Sequence, residues 1–403
     1  MGNNKSKNKE KNKEKKEEKE KKEKKEKYKS TSEGEDNNLC VKFPNSIQDL
    51  ISKSDLKMKE KYDSVYNIDN IDLFSNPEKI QFSIDLTNDS YSPYNWLDNT
   101  FTVFKCKNDA LLYLIYTNRT CSIIGINLID NKKIIEIKNA HEKEITNFRY
   151  HYDKINKNDL IMSIAASKNN IKIWNVKNWE CIIDIDKINN TGCLVSACFL
   201  IDKDENFIVS SNDKLGVCDS IKIFNFKGNK IKEINNSNNL TCFIDTYYDN
   251  KLDKNYIITG NYKFSQSYDY NKNDIYKKYC DNDINSHCSL IIYNKEDKIQ
   301  LIDSCRDGNI RIWDFHLAIL LKKINIGGYL IGICLWNQDY LFISGSERNI
   351  ILVELNKGKI INNLIASNKY IVCVKKIIHP KYGECLISQG DNIEQIKLWM
   401  KKK

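Results

Sequence analysis

Long apolar runs are missing from this 403-residue chain, and so are the cysteine pairs that mark many metal and redox sites. No stretch of 18 apolar residues occurs, and the N-terminus lacks the apolar core that a signal peptide needs. The 14 cysteines form no C-x-x-C pair, and most stand inside apolar runs. We therefore expect buried thiols in a reducing compartment, and a cytoplasmic protein that is soluble or held from outside at the cytosolic face of a membrane.

Motifs for catalysis are also scarce. Five histidines are present, and no metal-ligand spacing, phosphate-binding glycine loop or nucleophile motif accompanies them. Isolated acids such as Asp303 and Asp307 fit the role of turn residues better than that of acid–base catalysts. The sequence thus predicts a binding protein that is not an enzyme and holds no metal or cofactor.

Positive charge is concentrated at one end of the chain. Of the formal net charge of +9, residues 1–30 contribute +7, from 14 lysines and 7 glutamates, so about +2 remains for the other residues. A nucleic-acid partner would have to bind the tail alone. We expect no nucleic-acid partner. We expect the chain beyond the tail to be monomeric and to bind other proteins.

A short pattern, apolar-x-apolar-aromatic followed by Asn or Asp, recurs along the chain. It reads "IKIWN" at residues 171–175 and "IRIWD" at residues 310–314, with weaker copies elsewhere. The fourth positions are Ile126, Trp174, Phe224, Tyr270, Trp313, Val353 and Trp399, at spacings of 48, 50, 46, 43, 40 and 46 residues. Seven units with a period in the forties indicate a repeat architecture.

Each unit also contains further short strands separated by turn signals. The second reads "EITNFRY", "LIMSIAAS", "NIKIWNV" and "ECIIDI", which are alternating or fully apolar segments. A sheet this small cannot bury both faces alone and must stack on its neighbours around an axis. The sequence predicts an all-β fold, a seven-bladed β-propeller of four-stranded blades.

From Phe101 to Met400 the chain resembles the WD-repeat family of β-propellers. The fifth unit is most similar, with "SHCSLIIYN", "SCRDGNI" and "IRIWD". The resemblance implies a hydrogen-bonded blade network of His287, Asp307 and Trp313, in which either Asp303 or Ser304 takes the hydroxyl position. The second unit keeps two members of that network at His141 and Trp174 but has Lys168 where the turn aspartate should be.

Closure of the ring requires a strand from elsewhere. The seventh unit ends after its third strand, while an alternating segment at residues 78–86 has no blade of its own. We expect this N-terminal strand to complete the last blade and remove an exposed edge. The predicted organisation is a Lys/Glu-rich tail at 1–39, a linker at 40–77 and a propeller at 78–403.

The N-terminus carries a separate signal. "MGNNKS" places Gly2 and Ser6 as the M-G-x-x-x-[ST] pattern for N-myristoylation requires, and Lys5, Lys7 and Lys9 add positive charge beside it. The Lys/Glu run that follows fits either a partly helical spacer or a disordered tail.

The resemblance also implies a partner-binding face, made by the loops between blades and the turns between second and third strands. Arg306, Tyr329, Arg348 and Tyr370 fall in such loops of three consecutive units. Arg and Tyr are the residues that most often anchor interfaces. The tyrosines of the fourth unit fit either a further contact surface or blade filling.

Three functions are consistent with these observations. The first is a membrane-tethered interaction scaffold, and the second is a soluble cytosolic adaptor of the substrate-receptor or trafficking-coat type with an unmodified tail. The third is a propeller that reads phosphoinositides, whose family carries an adjacent arginine pair, and no such pair occurs here.

Overall fold

Antiparallel four-stranded sheets follow one another along the chain. The computed structural model describes residues 77–92, 99–165, 170–186, 193–213, 220–235, 241–281, 287–295, 298–345, 348–366, 370–393 and 395–401. Within these residues, seven such sheets form the blades of a β-propeller, and the one helix is a 3-10 turn at Pro77–Lys79. The all-β class and the seven-bladed architecture are confirmed. Gly2, Lys5, Lys7, Lys9 and Lys168 lie outside the described residues.

Two strands precede blade one, and blades one to four each take their four strands in chain order. The two leading strands are β1 (Ile80–Asp85) and β2 (Tyr91–Ser92). Blades one and two consist of β3 (Thr102–Lys105), β4 (Leu112–Thr117), β5 (Ile123–Asn127), β6 (Lys132–Ile137), β7 (Asn147–Asp153), β8 (Asn158–Ala165), β9 (Asn170–Asn175) and β10 (Glu180–Ile185). Blades three and four consist of β11 (Cys193–Asp202), β12 (Glu205–Asp213), β13 (Ser220–Asn225), β14 (Lys230–Asn235), β15 (Thr241–Asp249), β16 (Lys254–Asn261), β17 (Ser265–Asp269) and β18 (Asp274–Tyr279).

The remaining strands form blades five to seven. Blades five and six consist of β19 (His287–Lys295), β20 (Lys298–Cys305), β21 (Asn309–Asp314), β22 (Leu320–Asn325), β23 (Leu330–Leu335), β24 (Tyr340–Gly345), β25 (Asn349–Glu354) and β26 (Lys359–Ile365). Blade seven combines β27 (Ile371–His379), β28 (Gly383–Gly390) and β30 (Ile396–Lys401) with β1, while β29 (Asn392–Ile393) pairs with β2.

The apolar core is divided among the blade boundaries. Seven clusters of buried side chains occur among the described residues, and each lies between two neighbouring blades. First strands contact first strands around the ring, from β3 through β23 to β27, and β27 contacts β3 again. A blade therefore depends on both neighbours for the burial of its apolar faces.

A β-bulge recurs in the outermost strand of every blade. It stands opposite the fourth position of the repeat pattern, for example between Ile312 and Trp313 in blade five. Equivalent register shifts occur in blades one to four and six, and in blade seven the shift lies opposite Met400 and Lys401, just beyond the fourth position at Trp399. A bulge twists an edge strand and makes it a poorer template for pairing with another chain, which protects the ring's outer edges.

The bulge corrects the predicted alignment of the fourth unit. There the register shift falls between Ser267 and Tyr268, so Tyr268 and not Tyr270 takes the position of Trp313. Tyr268 is fully buried in the cluster between blades three and four, and Tyr270 follows the end of β17. Two tyrosines two residues apart point to the same side of a strand, so the sequence pattern alone could not choose between them.

The N-terminal strand closes the ring as predicted. β1 pairs antiparallel with β30, with Ile80 opposite Lys401 and Asp85 opposite Lys397. Ile80 is fully buried among side chains that include Trp336 and Trp399. The backbone N–H of Leu86 continues the pairing by donating to the carbonyl of Ile396 at 2.8 Å.

We expect deletions to separate the tail from this closing strand. Removal of residues 1–74 should leave a cooperative domain, because β1 remains. Removal of residues 1–90 should expose the edge of β30 and produce aggregation, seen by size-exclusion chromatography and thermal unfolding. A longer deletion that stays monomeric with an unchanged melting temperature would contradict the closure.

Candidate partner-binding face

The strand order gives every blade two ends. Turns from the first to the second strand and from the third to the fourth lie at one end, which we call the lower face. Turns from the second to the third strand and the connections to the next blade lie at the other end, the upper face. The predicted partner residues belong to upper-face loops.

A buried hydrogen-bond network fixes the upper end of blade two. Ser163 on β8 accepts a hydrogen bond from the indole N–H of Trp174 at 2.8 Å, and its hydroxyl lies 2.7 Å from Nε2 of His141. His141 belongs to the connection from blade one, so the network joins that loop to two strands. Burial lowers the pKa of His141 to about 4, which keeps the imidazole neutral at physiological pH.

Blade five builds its network on a carboxyl group. Oδ2 of Asp303 lies 3.1 Å from Nδ1 of His287 and accepts the indole N–H of Trp313 at 3.0 Å. The hydroxyl of Ser265, on the third strand of blade four, donates to the same oxygen at 3.3 Å. Asp303 thus takes the position that the sequence left open between Asp303 and Ser304, and it ties blade five to blade four.

Asp307 does not belong to this network, which corrects the role that the resemblance implied. Its carboxylate accepts from both terminal nitrogens of Arg311, at 3.2 Å and 2.5 Å, while Nε of Arg311 donates to Asp281 at 2.7 Å. Burial alone would raise the pKa of Asp307, but hydrogen bonds from Arg311 and Asn309 hold that pKa well below its usual range. The buried guanidinium of Arg311 therefore draws Asp307 away from His287.

The four predicted partner residues lie along one arc of the upper face, over blades five to seven. Backbone hydrogen bonds hold the loops of this arc in place. The carbonyl of Gly308 accepts from the N–H of Ile326, that of Arg348 from the N–H of Ala366, and that of Tyr370 from the N–H of Asp391. We call Arg306, Tyr329, Arg348 and Tyr370 the Tyr–Arg arc. Their role in partner binding remains a prediction.

The arc differs in exposure from one residue to the next. Tyr329 is 60% exposed and Tyr370 37%, Arg348 is exposed, and Arg306 is half-buried. Arg348 has a left-handed φ of 61°, a conformation that costs a non-glycine residue energy and that the surrounding turn must hold. A Cβ at Gly345 would lie 1.9 Å from the carbonyl oxygen of Tyr329, so only glycine permits this approach.

Ile365 is an apolar member of this surface that sequence reasoning missed. It ends β26, pairs with Asn349 beside Arg348, and is 82% exposed. The alternating strand "KIINNLI" gave no sign that its last residue would project from the sheet. The signal was its place at the strand end, directly before an upper-face loop.

The axial channel holds a second group of charged residues that the sequence did not indicate. A cavity of about 120 Å³ lies among the first strands. Arg149 of blade two reaches past blade three, forming a 3.6 Å ion pair with Asp245 and donating to the carbonyl of Ile244 at 3.2 Å. Its guanidinium also lies 5.2 Å from the ring centre of Phe243. These contacts hold blades two and four together across the channel.

The tyrosines of the fourth unit mostly fill the blade. Tyr268 and Tyr279 are fully buried and Tyr270 nearly so, whereas Tyr262 is 47% exposed in an upper-face turn.

Among the residues that the structure describes, no group of three or more His, Cys, Asp or Glu side chains could hold a metal ion. In the same part of the chain, no helix is long and apolar enough to cross a bilayer.

Comparison with known proteins adds no family to these observations. No protein-family model matches the chain, and no curated protein matches it. The described residues form a seven-bladed propeller of four-stranded blades, an architecture consistent with a WD-repeat-type fold.

Two indole donors allow a matched test of the blade networks. Trp313 donates to the buried carboxyl group of Asp303, and Trp399 donates to the hydroxyl of Ser388 at 2.9 Å. Trp313→Phe should lower the free energy of unfolding by about 2 kcal/mol and Trp399→Phe by about 1 kcal/mol. The difference is expected because losing a hydrogen bond costs more at the carboxyl group of Asp303, where three donors converge, than at the hydroxyl of Ser388. Denaturant unfolding measures both, and equal losses would contradict the assigned role of Asp303.

Buried histidines should make stability depend on pH. Burial lowers the pKa of both His141 and His151 to about 4, whereas an unfolded imidazole titrates near 6.5. Between pH 4 and pH 6.5 these imidazoles bind protons in the unfolded chain but stay neutral in the folded protein. The free energy of unfolding should therefore fall as pH falls from 6.5 to 4, at most by about 1.4 kcal/mol per pH unit for each histidine.

Urea unfolding at pH 7, 6 and 5 measures this dependence. His151→Gln should give a shallower slope than the wild-type chain, whatever its stability at pH 7. A wild-type stability that does not change between pH 7 and pH 5 would show that these imidazoles titrate normally in the folded protein.

Proposed function

We propose that this protein is a non-catalytic interaction scaffold that is held reversibly at the cytosolic face of a membrane. The Tyr–Arg arc is the observation that carries the scaffold role. It places two tyrosines and two arginines on one face over three consecutive blades, on backbone that inter-loop hydrogen bonds hold in position. A protein partner of the upper face fits these residue types.

The exposed apolar surface beside the arc supports a protein partner. Ile365 gives the arc an aliphatic contact, and Tyr329 and Tyr370 present rings with polar tips. An apolar contact surrounded by polar groups is the usual arrangement of a binding hot spot. The propeller supplies a rigid support, because each blade packs on two neighbours.

The membrane half of the proposal rests on the N-terminal sequence. A myristoyl group on Gly2 alone gives a partition constant on the order of 10⁴ M⁻¹, which is too weak for stable anchoring. Lys5, Lys7 and Lys9 can each add about 1 kcal/mol at an anionic leaflet. Glutamates alternate with lysines from Glu10 onward, so attachment should be reversible and sensitive to salt.

A soluble adaptor with an unmodified tail is the second candidate function. The absence of a second lipid site favours it, since the first cysteine is Cys40, far from Gly2. Both candidates share the upper-face partner and differ in the N-terminus alone.

Charge reversal tests the arc. Arg306→Glu with Arg348→Glu should reduce recovery of the bound partner in affinity purification at least tenfold, with an unchanged melting temperature. Lys359→Glu, on the exposed outer strand of blade six, is the matched control and should keep full recovery. A loss of folding in the double variant would mean that these arginines are structural, and undiminished recovery would exclude the arc as the binding surface.

The lipid is tested separately. Intact-mass analysis of the N-terminal peptide from a eukaryotic host should show one added myristoyl group on Gly2, and Gly2→Ala should move the protein from the membrane fraction to the supernatant. An unmodified or acetylated terminus, with both forms in the supernatant, would support the soluble adaptor.

A further inference from the structure

The lower face exposes aliphatic side chains at the tips of its turns. Five such residues occur there, each between 45% and 63% exposed: Ile129, Ile155, Leu252, Leu317 and Ile319. They come from the turns of blades one, two, four and five. Among the upper-face residues that the structure describes, the exposed large apolar side chains are instead three tyrosines and Ile365.

Four of these five residues lie in turns capped by an Asp or Asn side chain, two or three positions after the capping residue. In four turns, the carboxylate or amide oxygen of the last strand residue accepts the backbone N–H of the exposed residue. The pairs are Asn127 with Ile129 at 3.0 Å, Asp153 with Ile155 at 3.0 Å, Asp249 with Leu252 at 3.1 Å, and Asp314 with Leu317 at 2.8 Å. Because the exposed residue contributes only its backbone N–H to this bond, the turn does not need an aliphatic side chain at that position.

Lysine takes the same position in two further turns. Asn175 accepts the N–H of Lys177, and Asn225 accepts that of Lys227, each at 3.0 Å. Lysines also flank the aliphatic tips, as in "KINK" at 154–157 and "KL" at 251–252. The segments between the strands at this face contain ten lysines and seven acidic residues, and the capping carboxylates of Asp153, Asp249 and Asp314 raise the number of acidic residues to ten, so the lysines lie on a surface without a large net charge. Separate aliphatic tips among lysines suit a lipid interface better than a protein groove.

The N-terminal segment joins the propeller at this same face. Third strands run from the upper to the lower face, so β30 ends at the lower face with Lys401. Ile80 pairs with Lys401, and Pro77–Lys79 directly precedes it. The chain therefore enters the propeller at the lower face, at Pro77, and the Tyr–Arg arc lies on the opposite face.

We propose that the lower face is a docking surface for an anionic lipid membrane. Ile129, Ile155, Leu252, Leu317 and Ile319 enter the headgroup region, and the neighbouring lysines contact lipid phosphates. The inference rests on the proposed membrane tether and adds an orientation to it, with the Tyr–Arg arc turned toward the cytosol. The small net charge makes this contact weak alone, so it acts together with the N-terminal lipid.

Vesicle co-sedimentation of the full-length chain, made together with an N-myristoyltransferase, tests the proposal. The probes are vesicles of phosphatidylcholine alone and of phosphatidylcholine with phosphatidylserine. Ile155→Asp with Leu317→Asp should reduce the partition coefficient on the anionic vesicles at least tenfold. Ile134→Asp, at an exposed aliphatic residue in the middle of the outer strand β6, is the control and should bind as wild type does.

Gly2→Ala in the same assay separates the two proposals. If Gly2→Ala loses binding and the Ile155/Leu317 variant binds as wild type, the tether holds and the lower-face contact is overturned. If the Ile155/Leu317 variant loses binding and Gly2→Ala does not, the lower face binds lipid without the tether. Equal binding of all variants overturns both, as does wild-type binding no greater than background. Melting temperatures equal to wild type confirm that the substitutions leave the fold intact.

Discussion

Pairing of β1 with β30 is the interaction on which the rest of the molecule depends. Each apolar cluster lies between two blades, so a ring with one incomplete blade would leave the cluster between blades six and seven open to water. Ile80 fills that gap beside Trp399, and the antiparallel ladder covers the edge of β30. The same pairing decides where the N-terminal chain joins the ring, and so links closure to the orientation proposed for function.

Buried polar groups form specific contacts between particular blades. Asp303 ties blade five to blade four through Ser265, and Arg149 ties blade two to blade four through Asp245. Such contacts cost desolvation energy and add little net stability compared with apolar packing. We infer that they select the correct neighbours among seven similar sheets, since a wrong pairing would bury an unpartnered charge.

The sequence predicted the architecture because each third strand keeps one bulky side chain at a fixed place in its unit. It failed where that rule allowed two registers, as at Tyr268 and Tyr270. It also failed for ion pairs that the repeat pattern does not specify, since Arg311 pairs with Asp307 in the same blade and no pattern links Arg149 to Asp245. Exposed tips such as Leu317 were missed because their turns begin with aspartate or asparagine and therefore looked merely polar.

Opposite faces of the propeller thus differ in chemistry. The upper face presents arginine, tyrosine and Ile365, which suit a protein, and the lower face presents aliphatic tips and lysines, which suit a lipid surface. Under the proposed function, the chain that would carry the lipid enters the ring at the lower face, and the proposed partner surface lies on the opposite face.

Hydrogen–deuterium exchange of the full-length myristoylated chain, with and without phosphatidylserine-containing vesicles, tests this two-faced arrangement most directly. We predict that vesicles slow exchange in the lower-face turns around residues 154–157, 250–253 and 315–319 and leave the loops around Tyr329, Arg348 and Tyr370 unchanged. Slower exchange in those upper-face loops, or none in the lower-face turns of vesicle-bound protein, would contradict the account.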